Sequence, residues 1–137
     1  MNENKLKHLE FIQGVINRMG QNSFLLKGWT VTLVAGLFVF ANTKDTDYRF
    51  ISIAFIPTIF FWLLDGYFLW QEKLFRKLYD HVRTKGEDES IDFSMNVKPF
   101  EHEVSLWISI CFSNTLRLFY LPIIAIIIIT MVFACIY

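Results

Sequence analysis

Several residue patterns are scarce or absent in this sequence, and each absence excludes a class of protein. The two cysteines, Cys111 and Cys135, fall on opposite sides of the membrane in the topology predicted below, so no disulfide framework is predicted. Histidine and cysteine show no metal-ligand spacing, and there is no glycine-rich phosphate loop, so we predict no metal ion and no cofactor. Basic and acidic residues number 13 each, a balance that by itself argues nothing about nucleic acid; no DNA partner is predicted. We expect no cleavable signal peptide, because more than twenty mostly polar or amphipathic residues precede any apolar run.

Long hydrophobic runs dominate the rest of the chain. Hydrophobic residues make up 54% of the 137 positions, and three apolar runs cover residues 24–42, 50–70 and 118–137. A helix rises 1.5 Å per residue, so about 20 residues cross the apolar core of a bilayer. The lipid bilayer is therefore the first predicted partner. The sequence predicts one all-α membrane domain, residues 1–137, with three transmembrane helices.

The second apolar run leads without a break into a charged, amphipathic stretch. One long helix is therefore predicted over residues 50–85, with its first part in lipid and the rest forming a cytoplasmic stalk. Pro57 is the only interruption, and a kink there is tolerable inside a packed membrane helix. Glu72 and Arg76 are spaced four apart, which favours an ion pair on the helix surface.

A linker is predicted at residues 86–100, between the stalk and the last span. It opens with a solvated acidic turn at residues 87–89. Apolar and polar residues then alternate over residues 91–97, which predicts an extended segment with one buried face, lying along the stalk or a neighbouring subunit. A short interfacial helix follows at residues 101–113, before the last span.

The N-terminal segment has the periodicity of an amphipathic helix, predicted over residues 3–22. Its apolar residues recur at spacings of three and four, and Gln13, Asn17 and Arg18 lie at the edge of that stripe. The helix is expected to lie on the membrane or to pack on the stalk. A specific role for Asn17 and Arg18 is the alternative interpretation.

Positive charges indicate the orientation. Eleven of the 13 lysine and arginine residues lie before or at the start of the first span, or between the second and third spans. The positive-inside rule then places the N-terminus in the cytoplasm and the C-terminus outside. The chain is therefore predicted to cross a membrane three times.

Lys27 and Asp65 are the charged residues within the predicted spans. An ionised group at that depth is unfavourable in lipid and usually faces a partner or water. Lys27 precedes Asn42, the end of its span, by 15 residues, and Asp65 follows Phe50 by the same number, so an antiparallel hairpin brings them to equal depth. We expect a pair within one chain or across a subunit boundary. The alternatives are that Asp65 simply reaches the interface, or that it lines an aqueous passage.

A ridge of small residues is predicted to support helix packing. Gly28, Thr32 and Gly36 recur every four residues in the first span, an arrangement that permits close approach of another helix. Such ridges are common in membrane helices, so the pattern is only moderately specific.

Catalysis has little support. The one candidate is Arg76 with His81, which matches the R-x4-6-H pattern of HEPN ribonucleases. Five residues turn a regular helix through about 500°, which leaves the two side chains roughly 140° apart. The pattern is short and frequent in charged helices, so a coincidental or structural origin is favoured and no catalytic residue is assigned.

Five segments of the sequence together carry a family resemblance. They read FIQGVINRM at 11–19, NSFLLKGW at 22–29, FWLLDGYFL at 61–69, LFRKLYD at 74–80 and FSNTLRLFY at 112–120. These segments resemble small bacterial membrane proteins related to the accessory membrane proteins of type VI-B, RNA-targeting CRISPR systems. The resemblance implies ring-shaped homo-oligomeric pores, a divergent HEPN motif at Arg76 and His81, and antiphage defence through the inner membrane. It also implies an RNA-targeting CRISPR effector, or its RNA products, as a partner.

Three functions follow as hypotheses. The first is a homo-oligomeric inner-membrane pore or membrane-perturbing effector, which requires several copies because three spans cannot enclose a channel. The second is a membrane-tethered HEPN-type RNase that uses Arg76 and His81. The third is a non-catalytic regulatory membrane subunit of a larger complex.

Overall fold

The computed structural model describes residues 2–42, 47–86 and 90–137. Over these ranges the chain is helical or irregular and contains no strand, so the all-α class is confirmed. Three helices are long and apolar enough to cross a membrane. The predicted acidic turn at residues 87–89, and the middle of the connection between the first two spans, lie outside the described residues.

The first helix, α1, runs from Glu3 to Ala41 without a break and joins the segments predicted as an amphipathic helix and a span. Asn2 caps it by accepting a hydrogen bond from the Asn4 N–H at 3.1 Å. Both halves bury the same side. Ile12 and Thr30, both buried, are 18 residues apart, which is five helical turns. A single straight helix can therefore pack along its whole length.

The second helix begins later than predicted. Residues Tyr48–Ala54 form a 3₁₀ helix, and α2 runs from Phe55 to Thr84. Pro57 is the third residue of α2. The first four N–H groups of an α-helix have no acceptor within the helix, so a proline costs little there, and no mid-helix kink is needed. The span and the charged stretch do form one continuous helix from Phe55 onward.

The segment at residues 90–97 departs from the predicted alternation. Ile91, Ser94 and Val97 are half-buried, whereas Phe93 and Met95 are exposed, so burial recurs every three residues instead of every two. The backbone explains this difference. The polar residues accept hydrogen bonds from the N–H two positions further on, all at 3.1 Å: Asp92 from Ser94, Ser94 from Asn96, and Asn96 from Lys98. These local bonds satisfy backbone groups that a sheet would otherwise pair.

The predicted helix at residues 101–113 is two separate pieces. A 3₁₀ helix covers Lys98–Glu103, and a short helix, α3, covers Trp107–Cys111. Indole groups fasten α3 to α2. The Trp107 Nε1–H donates to the Leu63 carbonyl at 3.1 Å, and the Trp62 Nε1–H donates to the Cys111 carbonyl at 2.7 Å. These hydrogen bonds from indole N–H groups to specific carbonyls fix α3 where a longer helix was expected.

The last helix, α4, runs from Asn114 to Ile136 and starts four residues before the predicted span. Tyr120, near its start, bonds to Asp65 on α2, and Ile127 packs with Val34 of α1 and Ala54. These contacts place α4 antiparallel to α2 and parallel to α1. The three long helices therefore run up, down and up.

Two regions of the structure are distinguished from here on. The bundle comprises residues 24–41 of α1, residues 55–70 of α2, and α4. The stalk comprises residues 3–22 of α1, residues 71–84 of α2, and the segment 90–103 that packs on them. The N-terminal segment thus packs on α2, which was one of the two predicted placements.

Candidate functional site

The most organised group of polar side chains lies where the bundle meets the stalk. Ser23 and Lys27 are one turn apart on α1, Asp65 lies on α2, and Tyr120 lies on α4. We call these four residues the buried polar cluster. All three long helices contribute to it, so its geometry depends on the whole fold.

Asp65 is the centre of the buried polar cluster and is 0% exposed. The Lys27 Nζ donates to Asp65 Oδ2 at 2.5 Å, and the Tyr120 hydroxyl donates to the same oxygen at 2.9 Å. The Ser23 hydroxyl donates to Asp65 Oδ1, and it accepts a bond from Lys27 Nζ at 2.8 Å. Both carboxylate oxygens are therefore hydrogen-bonded, which is what a buried charge requires.

Aromatic rings enclose the ion pair. The Lys27 Nζ lies 5.8 Å from the centroid of the Phe119 ring, within the range of a cation–π contact. The Tyr120 ring stacks on Trp62, with centroids 5.7 Å apart and planes 4° apart. Asp65 is fully buried and Lys27 is 20% exposed, so the attraction between the charges is stronger than at a protein surface.

The arrangement holds charge and does not favour bond cleavage. The Ser23 hydroxyl donates to Asp65 Oδ1 and accepts a hydrogen bond from Lys27 Nζ. Lys27 is therefore not placed to take the Ser23 proton, and a serine–lysine nucleophile is not formed. Within residues 2–42, 47–86 and 90–137, no group of three or more His, Cys, Asp or Glu side chains is placed to hold a metal ion.

The predicted small-residue ridge faces outward. A Cβ added at Gly28 or Gly36 would have no described atom within 4 Å, apart from its own helix backbone and chain neighbours. Thr32 is exposed, and its hydroxyl donates to the Gly28 carbonyl at 2.9 Å. Within one chain the ridge therefore contacts no other helix among the described residues.

The other polar candidates separate into three places. Gln13 and Asn17, which share a 3.1 Å hydrogen bond, line a groove of about 610 Å³ together with Arg76. Arg76 is ion-paired with Glu72 at 2.6 Å. Arg18 lines a different groove on α1.

His81 lies apart from Arg76. Its ring centroid is 5.4 Å from that of Phe100, and it lines a third groove, beside the 90–100 segment. The structure therefore does not bring Arg76 and His81 into one site within a single chain, in keeping with the angle between them on a regular helix.

Sequence reasoning missed two members of the buried polar cluster. Ser23 is four residues before Lys27, so it was accessible from helical spacing alone. Tyr120 follows Leu118, the start of the third predicted span, by two residues, and Lys27 follows Phe24 by three. Parallel spans starting at one membrane face place these two residues at similar depth, so the depth argument applied to Asp65 extends to Tyr120.

A second buried polar site at the far end of the stalk was also missed. Lys5 is 5% exposed, and its Nζ donates to the backbone carbonyls of Arg83 at 3.3 Å and Lys85 at 2.5 Å, at the C-terminus of α2. A cation is favoured there because the last carbonyls of a helix carry partial negative charge.

His8, one turn after Lys5, is 4% exposed, and burial lowers the pKa of its imidazole, while the nearby Asp92 carboxylate raises it by less. Such a histidine is expected to be neutral in the folded protein.

Comparisons with protein-family models, curated proteins and solved structures found no match to this chain.

Proposed function

We propose that the chain is a subunit of a homo-oligomeric pore, or membrane-perturbing effector, in a bacterial inner membrane. The centre of the bundle is filled, since Thr30, Tyr120 and Ile127 are all 0% exposed. A passage along the axis of one chain would have to displace these side chains. A pore therefore needs walls supplied by several copies.

The observation that carries this proposal is the open ridge on α1. Thr32 is two residues from both Thr30 and Val34, which are buried, and therefore lies about 160° around the helix from each. The ridge faces directly away from the rest of its own chain. Small residues at that position favour close approach of a helix from another copy.

The buried polar cluster supports this arrangement by fixing α1. Its ion pair and hydrogen bonds tie α1 to α2 and α4 in one rotation, which keeps the ridge on the outer face. Asp65 is fully buried and Lys27 is only 20% exposed. In the proposed pore, this pair therefore stabilises the packing of α1 against α2. Lining of the passage by these two residues is the alternative role.

The proposed orientation follows from charge. The stalk and the linker carry most of the lysine and arginine residues, so they belong in the cytoplasm, with the N-terminus beside them and the C-terminus outside.

The resemblance to CRISPR accessory proteins adds antiphage defence as the setting, with an RNA-targeting effector or its RNA products as partner. The RNase alternative needs Arg76 from one copy and His81 from another.

The test measures assembly and leakage together. Gly36→Leu should reduce the oligomer mass of the purified protein in detergent, and should lower dye release from vesicles about tenfold, because a large side chain prevents close helix approach. Ala125→Leu, a similar enlargement at an exposed position of α4, is the matched control and should change neither. Unchanged mass and leakage in Gly36→Leu would refute the proposed interface.

The same preparation separates the pore from the RNase. His81→Ala should leave dye release intact, because His81 lies outside the bundle. RNA cleavage by the unmodified protein that is abolished in this variant, without any vesicle leakage, would establish the RNase and overturn the pore.

A further inference from the structure

An open groove runs along the stalk on the side away from the Arg76 groove. It lies between the first turns of α1 and the segment at residues 90–97, and has a volume of about 580 Å³. Ligand sites in proteins span roughly 300–1,000 Å³ and are lined mainly by apolar side chains. The apolar lining here is supplied by Phe11, Val15, Phe93 and Met95.

Two of these apolar side chains are unusually exposed. Phe11 is 70% exposed and Phe93 is 53% exposed, although the stalk lies outside the three apolar runs. In the proposed topology, lipid covers exposed apolar residues of the bundle, whereas these two side chains lie on the stalk, outside the bilayer. An exposed apolar patch of this kind on a water-facing region marks a binding surface.

The charged side chains that line the groove, Lys7 and Arg18, are basic, although the Asp92 carboxylate lies near His8. Lys7 and Arg18 are 11 residues apart, close to three turns, so they lie on the same side of α1 and bracket the apolar lining. No aspartate or glutamate is among the described residues that line the groove. Glu3 pairs with Lys7 at 3.0 Å, but both side chains are more than 60% exposed, so this pair is weak.

His8 supplies a second, independent observation. It lines the groove, it is 4% exposed, and its Nε2 atom is buried without a hydrogen-bond partner among the described residues. Its ring meets Phe93 edge to face, with centroids 5.5 Å apart. Buried polar atoms without partners are rare in proteins and call for a specific explanation.

We propose that this groove binds a long-chain carboxylate, with its hydrocarbon chain along Phe11, Val15 and Met95. The carboxylate lies at the Lys7 end, where the Lys7 ammonium supplies positive charge and the neutral His8 imidazole donates from Nε2–H, the buried atom that otherwise lacks a hydrogen-bond partner. Phe93 shifts outward to admit it to Nε2. The aliphatic stem of Arg18 covers the far end of the chain.

The position of the groove suits a ligand that partitions from a membrane. Arg18 lies six residues before Phe24, where the first apolar run begins, which corresponds to about 9 Å along the helix. A fatty acid leaving the bilayer surface therefore has a short path to the groove. The proposal does not depend on pore formation.

The experiment uses the full chain in phosphatidylcholine nanodiscs with a diazirine-bearing palmitate analogue. Photolabelling should map to the peptides that contain Phe11 and Phe93. Unlabelled palmitate should compete, whereas hexadecanol, which has the same chain without the charge, should compete at least tenfold less well. Labelling confined to the three apolar runs, or equal competition by hexadecanol, would overturn the proposal. Stronger competition by hexadecyl phosphate than by palmitate would overturn it in favour of a phosphate-bearing lipid.

Two matched pairs of variants locate the site. Phe11→Asp should lower labelling of the groove about tenfold, whereas Leu6→Asp, on the other side of α1 and also exposed, should not. Lys7→Gln should weaken palmitate competition, whereas Lys73→Gln, an exposed stalk lysine away from the groove, should not. All four positions are exposed, so folding is retained and is checked by circular dichroism. If Phe11→Asp instead lowers the oligomer mass and leaves labelling unchanged, the groove binds a second copy and the proposal fails.

Discussion

The stalk and the bundle share α1 and α2 but differ in the side chains at their centres. The stalk core is aliphatic, and consists of Leu9, Ile12, Ile16, Leu78 and Val82. In the bundle, by contrast, Thr30, Thr58 and Asp65 are all 0% exposed, while many large apolar side chains point outward.

The difference is what the proposed surroundings, water for the stalk and lipid for the bundle, would produce. In water, removal of apolar surface drives packing, so leucines and isoleucines are buried. In lipid that driving force is absent between helices, and close packing and polar pairing hold the helices together. The Lys27–Asp65 pair, which joins α1 to α2, illustrates such pairing, whereas the buried threonine hydroxyls bond within their own helices. Thr30 donates to the Leu26 carbonyl at 2.7 Å and Thr58 to the Ala54 carbonyl at 2.7 Å, so neither hydroxyl needs a partner from another helix.

The largest expected effect is loss of the bundle's buried charge. Asp65→Ala leaves the Lys27 ammonium without its anion, and removal of one partner from a buried pair costs about 3–5 kcal/mol. Equilibrium unfolding by SDS in mixed micelles should show this loss. Asp80→Ala is the control, because its ion pair with Arg83 at 3.3 Å is about 60% exposed on both sides and is worth little.

A double-mutant cycle sharpens that comparison. Lys27→Ala combined with Asp65→Ala should be more stable than Asp65→Ala alone, because no unmatched charge is left. Strictly additive losses of stability would show that the two charges do not interact. They would contradict the explanation that polar pairing holds the helices of the bundle together.

The stalk should respond to a different change. Ile12→Ala creates a cavity at a 0% exposed position, and is expected to cost about 2–5 kcal/mol. Leu33→Ala, at a bundle position that is 39% exposed, should cost much less, because it removes a side chain from the outer face. The two variants can be compared in the same SDS titration. Equal losses would mean that apolar burial drives both regions alike.

Much of this fold was predictable because helical periodicity and run length are local properties. The all-α class and three helices capable of spanning a membrane follow directly from the apolar runs. The breaks were harder to predict. Alternation at residues 91–97 resembled a strand face, but the polar residues there bond to their own backbone, and a periodicity argument does not distinguish these uses.

The charge pair could be predicted because that argument rested on depth along the helices, whereas the rotation of α1 about its axis could not be predicted from the sequence. Equal spacing from the hairpin placed Lys27 beside Asp65, which the structure brings to 2.5 Å. The ridge at Gly28 and Gly36 faces a direction that depends on which side of α1 the other helices cover, and the sequence of α1 alone does not determine that side. Lys5 and His8 were missed because their partners come from residues 83–93, far along the chain.

A smaller effect is expected from the polar contact that closes the stalk. Lys5→Met removes two hydrogen bonds and a positive charge from the C-terminus of α2, and is expected to cost about 1–2 kcal/mol. Lys7→Met, at an exposed surface pair, is the matched control and should be nearly neutral. Hydrogen exchange at the last turn of α2 should increase only in Lys5→Met. Equal exchange in both variants would contradict a capping role.

The smallest effect concerns pH and again separates the two regions. Burial lowers the pKa of His8 below its ordinary value of 6.5, so the unfolded chain binds a proton more readily than the folded one. The stability contributed by neutral His8 is therefore fully present above about pH 6.5 and declines as the pH falls below it. Between pH 7.5 and 5.5, the unfolding free energy of the unmodified protein should fall more than that of His8→Leu, in which carboxylates and the other histidines still titrate. Asp92→Asn should enlarge the fall, because the Asp92 carboxylate raises the pKa of His8. Hydrogen exchange should increase in the stalk and remain unchanged in the bundle. A pH dependence identical in the unmodified protein and His8→Leu would show that this buried imidazole does not couple to stalk stability.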